Sequence, residues 1–182
     1  MRIYRPWVPD GFEWVFPLQK SDWKALWSFD VAQLGVSWQP VKVRLGSPRE
    51  GEACRSAMMP WMGGHVLVLR EEATLLVGHA LSQWGDLLPL ECDQANLFVF
   101  RARHFVAGLD ERRSEVTRFE DGRIMMINKH VFDPQAIAGL EIFKLSTMPR
   151  GSLYLTESMV LLIEAGRHEG TNFRLVWSDE SR

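Results

Sequence analysis

The chain has 182 residues, a length typical of one domain, and folding at this size hides roughly 70% of the surface of the unfolded chain. A core of that extent needs no disulfide or metal to stabilise it. The composition, 46% hydrophobic and 24% charged, is that of an ordinary globular protein. The net charge of -2 comes from acidic and basic residues mixed along the chain, which argues against direct binding to nucleic acid. We therefore expect one domain over residues 1–182 that carries no cofactor.

Cysteine usage and the apolar runs predict a cytoplasmic location. Cys54 and Cys92 lie far apart and form no CxxC or Cys/His pattern, as expected for reduced thiols in the cytosol. The segment Met1–Trp7 lacks the apolar core of a signal peptide. The run Met159–Ile163 is among the longest apolar runs, and it is far too short to cross a bilayer. We expect no contact with a membrane.

The first half of the chain mixes short helices and strands. Ser21 is placed to cap a short helix, and the alternation in Pro40–Leu45 predicts a half-buried strand. Gly46–Gly64 is rich in glycine and proline but also holds methionines and a tryptophan, so we interpret it as a long ordered connection.

The middle of the chain contains the clearest amphipathic helix. Its apolar residues are Ala73, Leu76, Val77, Ala80, Leu81 and Trp84. Gly85 follows where a glycine commonly ends a helix. Two apolar strands then follow, Leu87–Cys92 and Leu97–Arg101, joined by a turn at residues 93–96.

The second half predicts a hairpin and further strands. Asp121-Gly122 stands between two β-type runs, Glu115–Phe119 and Arg123–Asn128, and is a strong hairpin signal because such turns need positive φ. Asp133-Pro134 is typical of a helix start. Further predicted elements are strands at Ile142–Leu145 and Ser152–Leu155, a helix from its cap Thr156 to Ala165, and a final strand around Phe173–Trp177. Together these predict an α+β fold with a mixed, mostly antiparallel sheet and hairpins, packed against several short helices.

No catalytic or metal-binding motif is apparent. Neither cysteine stands in a local signature with a histidine, and Gly63-Gly64 precedes a strand, unlike a phosphate-binding loop. Glu91, Cys92 and Asp93 alternate in direction along a strand, so they cannot all face one ion. We expect no metal site and no enzyme activity, and keep a small hydrolase or transferase with an unrecognised site as an alternative.

Two groups of residues are candidates for contact with a partner protein. Between Trp84 and Asn96 all charges are acidic, and two more acidic residues open the preceding helix. Such a patch would suit a basic partner, although helix-dipole and turn preferences also explain acidic residues at these positions. The candidates are Glu71, Glu72, Asp86, Glu91 and Asp93, together with Met59, Trp61 and Met62 of the long connection.

Several segments in order resemble one known family. They are Ser37–Arg44 (SWQPVKVR), Leu87–Cys92 (LLPLEC), Leu109–Phe119 (LDERRSEVTRF), Asp121–Ile124 (DGRI), Ile142–Leu145 (IFKL), Pro149-Arg150 and Phe173–Trp177 (FRLVW). Their order and spacing over nearly the whole chain are similar to the eleventh immunity-protein family of bacterial polymorphic toxin systems.

The resemblance implies a protein that binds and blocks a cognate toxin, encoded by an adjacent gene, inside the producing cell. Nuclease toxins of the HNH type are among the partners suggested for that family. The shared motifs are hairpin turns, strand ends and helix caps, so they do not mark a toxin-binding surface. An accessory role in a secretion apparatus is the other alternative.

Overall fold

The computed structural model describes residues 1–27, 37–166 and 169–179. Within these residues the chain forms three helices and twelve strands in mixed, mostly antiparallel sheets, which confirms the predicted α+β fold. Helices α1, α2 and α3 span Lys20–Trp27, Glu71–Ser82 and Glu157–Ala165. Strands β1 to β12 span, in order, Arg2–Trp7, Trp14–Pro17, Val43–Gly46, Leu67–Arg70, Gly85–Leu90, Leu97–Ala102, Phe105–Val106, Glu115–Arg118, Ile124–Lys129, Ile142–Leu145, Tyr154–Thr156 and Asn172–Ser178.

The strands form four sheets. The largest has the order β12-β1-β11-β10-β7 and is antiparallel except for the parallel pair β10–β7. A three-stranded sheet has the order β4-β6-β5, and β2–β3 and β8–β9 are two-stranded. The last of these is the predicted hairpin, and Gly122 has the positive φ of 83° that its turn requires.

The buried side chains form three clusters, and strands β4 and β10 each contribute to two of them from opposite faces. Strand β4 sends Leu67 and Leu69 into a cluster with α2 and α3, and Val68 into a cluster with β2 and β3. Strand β10 likewise sends Ile142 towards the helices and Phe143 towards an aromatic cluster on the opposite face. Helices α2 and α3 therefore pack on the core that the two larger sheets share.

The helix α3 begins and ends where the sequence predicts. The Thr156 hydroxyl accepts a hydrogen bond from the Met159 N–H at 3.5 Å, and Gly166 follows the last residue of the helix. The predicted start of α1 is wrong by two residues. That helix begins at Lys20, so Ser21 lies inside it, and the Asp22 carboxylate instead accepts a hydrogen bond from the Gln19 N–H at 3.0 Å.

Gly85 does not end α2, as the sequence suggested. The helix ends at Ser82, and Gly85 is the first residue of β5, opposite Ala102. A Cβ atom at this position would lie 2.3 Å from the carbonyl oxygen of Arg101. The glycine is therefore needed for close strand approach and not for a left-handed helix end.

The helix predicted after Asp133-Pro134 is absent, and residues 134–139 form successive turns. Asp133 Oδ1 accepts a hydrogen bond from the Gln135 N–H at 2.9 Å, and Gly139 is left-handed with φ 74°. Only a few residues separate the proline from this reversal, too few to offset the cost of starting a helix. Ile137 in this segment is buried in the aromatic cluster.

Two histidines make stability depend on pH. Burial lowers the pKa of His65 to about 3 and that of His130 to about 4, and the charges of Lys144 and Arg5 respectively add to the effect. Both imidazoles are neutral in the folded protein, whereas an unfolded histidine gains a proton below about pH 6.5. The contribution of these two neutral histidines to the free energy of unfolding is therefore fully present above that pH. It is lost progressively as the pH falls towards the folded pKa values.

We expect the free energy of unfolding to fall by about 1 kcal/mol for each histidine between about pH 7 and pH 5.5. Urea unfolding at several pH values measures it. His130→Phe should remove about half of the change in the free energy of unfolding with pH. A free energy that is constant or rises over this range would contradict the neutral state of these side chains.

Candidate protein-binding surface

The structure brings only part of the predicted acidic group together. The Glu71 carboxylate accepts a hydrogen bond from Asn96 Nδ2 at 2.8 Å, so the start of α2 lies beside the turn that contains Asp93. Glu71, Glu72 and Asp93 are all exposed. No ion pair between described residues includes any of the three. Their charge is available to a partner.

The other two predicted acidic residues are neutralised within the chain. Asp86 is the second residue of β5. Its carboxylate lies 3.0 Å from a guanidinium nitrogen of Arg101 and 3.5 Å from a guanidinium nitrogen of Arg103. Glu91 pairs with Lys42 at 3.1 Å. The local sequence around Asp86 contains no lysine or arginine, but the register of β5 with β6 places Arg101 opposite Asp86, and Arg103 directly follows β6.

The apolar candidates of the long connection serve mainly the core. Met59 is completely buried and Met62 is 8% exposed, so neither side chain is available to a partner and we withdraw them as contacts. Trp61 is half-buried, and its ring packs edge-on against that of Trp14, with the ring centres 6.5 Å apart. Burial of Met59 and Met62 follows the tendency of apolar side chains to leave water, whereas the half-buried Trp61 stays a candidate contact.

Helices α2 and α3 instead expose four leucines. Leu75 is 82% exposed and Leu76 65%, while Leu161 is 59% and Leu162 42% exposed. Ala73, Val77 and Leu81 bury one side of α2, and Met159, Val160 and Ile163 bury one side of α3. These residues already occupy the side of each helix that faces the core, so the four leucines lie on the sides that face solvent.

A groove of about 250 Å³ runs between the two helices. Ala80 and Trp84 form its α2 side, and Met159 and Leu162 its α3 side. Leu76 lies one turn before Ala80 on the same flank of α2, which extends the apolar strip.

Both helices carry only acidic charge. Neither Glu71–Ser82 nor Glu157–Ala165 contains lysine or arginine. Glu157 pairs with Arg2 at 2.9 Å, but among the described residues Glu72 and Glu164 are in no ion pair. The exposed leucines are therefore framed by negative charge.

A broad depression lies beside the C-terminal end of α3, where Glu164 lines it. It holds about 870 Å³ and is lined by Trp7, Phe12, Arg55, Phe173, Arg174 and the carboxylates of Glu164 and Glu169, among others. The Arg174 guanidinium carbon is 4.6 Å from the Trp7 ring centre, and that of Arg55 is 4.0 Å from the Phe12 ring centre. Stacked arginines and tryptophan are the side chains that protein interfaces favour. We call the four leucines, the groove and this depression together the α3 surface.

Sequence reasoning missed the leucines, although a signal was present. The pairs Leu75-Leu76 and Leu161-Leu162 stand in helices that lack lysine and arginine, and this combination is unusual for a solvent-facing side. The depression has no such signal, because β1, β12 and the long connection meet there only in the folded chain.

Comparison with protein-family models and with curated protein sequences finds no match. The described residues contain no helix that is long and apolar enough to cross a membrane. In the same part of the chain, no three histidine, cysteine or acidic side chains are grouped so as to hold a metal ion. Cys54 and Cys92 are free thiols.

Proposed function

We propose that this protein is a toxin-neutralising immunity protein that binds a cognate toxin through the α3 surface. The observation that carries the proposal is the set of four leucines exposed on α2 and α3 within an acidic frame. The resemblance of the sequence motifs to an immunity-protein family supports the choice of a toxin as the partner.

The apolar part of the surface supplies affinity. Burial of exposed apolar area is favourable by about 25 cal/mol per Å², and Leu75, Leu76, Leu161 and Leu162 all have area to bury. The groove between the helices can accept an apolar side chain of the partner, as fully desolvated pockets at the centre of an interface commonly do.

The charged part of the surface selects the partner. Glu71, Glu72 and Glu164 would face lysine and arginine of the partner, which speeds association, while Arg55 and Arg174 of the depression would face its acidic groups. A nuclease toxin presents such groups around its nucleic-acid cleft, because binding of phosphates requires them. Occupation of that cleft would block its substrate directly.

Co-expression with the product of the neighbouring toxin gene tests the proposal. We expect host cells to survive the toxin only when this chain is present, and the two proteins to elute together as a one-to-one complex in size-exclusion chromatography with light scattering. Toxicity that persists, with no complex formed, would reject the proposal. Recovery of secretion-apparatus components in place of a toxin would favour the accessory role.

A further inference from the structure

A second site, separate from the α3 surface, lies where the β8–β9 hairpin meets the end of β12. It is a cavity of about 330 Å³, within the size range of small-ligand sites. Phe132 and Trp177 line it, with ring centres 5.8 Å apart in an edge-to-face arrangement. Phe132 is only 1% exposed and packs behind the half-buried ring of Trp177, so Trp177 supplies the apolar wall.

A buried imidazole supplies a polar group in this wall. His130 is 7% exposed, and its Nε2 atom lies 3.1 Å from the Tyr154 hydroxyl oxygen. This is its one hydrogen bond within the described part of the chain. When the Tyr154 hydroxyl donates to Nε2, the proton of the neutral ring is on Nδ1, which then acts as a donor towards a ligand.

The side chains that line the cavity have a positive net charge. Arg113 and Lys129 both line it, and each has its acidic neighbour, Asp110 or Glu115, only at the 4.0 Å limit of an ion pair. The one carboxylate in the lining, Asp179, is 2.5 Å from the N-terminal ammonium group and so is already paired. Because both ion pairs are long and exposed, an anion in the cavity can compete with Asp110 and Glu115 for the two cations at the rim.

We propose that this cavity binds a small organic anion, namely a carboxylate or phosphate monoester on a flat apolar body. The body packs on Trp177, while Arg113 and Lys129 hold the anionic group and His130 donates a hydrogen bond to it. A toxin is not needed for this binding, so the inference is independent of the proposed function.

Calorimetric titration of the full chain with benzoate, phenyl phosphate and benzamide tests the proposal. We expect saturable binding of at least one anion with a Kd of about 1 mM or tighter, and at least tenfold weaker binding of the neutral benzamide. A preference for phenyl phosphate or for benzoate identifies the head group. No saturable binding of either anion, or equal binding of benzamide, would overturn the proposal.

Substitutions then locate the site. Arg113→Gln combined with Lys129→Gln should weaken binding of the anion at least tenfold without changing the melting temperature, because both side chains are exposed. Lys42→Gln combined with Arg49→Gln removes the same charge elsewhere and should have no effect. Affinity that survives the first pair also overturns the proposal. His130→Phe tests the role of the imidazole and should weaken binding of the anion severalfold. If that variant does not fold, the Arg113 and Lys129 substitutions still test the proposal.

Discussion

Replacing Leu75 and Leu161 together by arginine is expected to weaken toxin binding at least about 100-fold, a loss of about 2.7 kcal/mol. The change removes apolar area from the α3 surface and places two positive charges against a basic partner. Both side chains point into solvent, 82% and 59% exposed, so the free energy of unfolding should change by less than about 0.5 kcal/mol. Surface plasmon resonance with the purified toxin measures the affinity.

Leu18→Arg is the matched control, because Leu18 is 54% exposed, lines neither the groove nor the depression, and has its N–H bonded to the Lys42 carbonyl beside β3. Its affinity should equal that of the unmodified chain. If the double variant also binds normally while folded, the toxin does not use the two helices. Co-expression would then still decide whether the protein neutralises a toxin, since that assay does not depend on the location of the contact.

The second prediction concerns a buried ion pair that holds the long connection in place. Arg70→Met is expected to lower the free energy of unfolding by about 3 kcal/mol, since it leaves a buried carboxylate without its cation. The Arg70 guanidinium lies 2.5 Å from Glu13, and the two side chains are only 17% and 11% exposed. The same carboxylate accepts a hydrogen bond from the Ala57 N–H at 2.9 Å, and Arg70 Nε donates to the Ala57 carbonyl at 2.8 Å.

The loss should appear as a melting temperature lower by about 6 to 12 °C in calorimetry. Arg49→Met is the control, because the Arg49–Glu52 pair is 76% and 58% exposed and contributes little. The double variant Glu13→Gln, Arg70→Met should recover part of the stability, since the neutral amide keeps an acceptor for Ala57. Equal melting temperatures for Arg70→Met and Arg49→Met would show that the pair does not stabilise the fold.

This pair also bears on the binding surface. Arg55, which lines the depression beside α3, belongs to the connection that Glu13 and Arg70 fasten. The backbone of Arg55 makes two hydrogen bonds with the segment before β2. The Arg55 N–H donates to the Gly11 carbonyl at 2.9 Å, and the Glu13 N–H donates to the Arg55 carbonyl at 2.9 Å. The position of Arg55 is therefore set by contacts between segments distant in sequence.

Features that depend on a few neighbouring residues were predictable. The turn at Asp121-Gly122 and the helix from Thr156 to Gly166 occur as expected, because turn and cap geometry is set within four residues. The error at Gly85 has the opposite cause, because that glycine is required by a facing strand that is distant in sequence. The error at Asp133 is local: the left-handed Gly139 leaves too few residues for a helix after Pro134.

The sequence by itself determined the α+β class, the hairpin, the helix α3 and the acidic character of both helices that form the α3 surface. Tertiary structure decided which of those features are accessible. It paired Asp86 with two arginines, buried Met59, and left the leucines of α2 and α3 in solvent. The physical reason is that propensity and capping act over a few residues, whereas burial and ion pairing depend on which segments the sheets bring together.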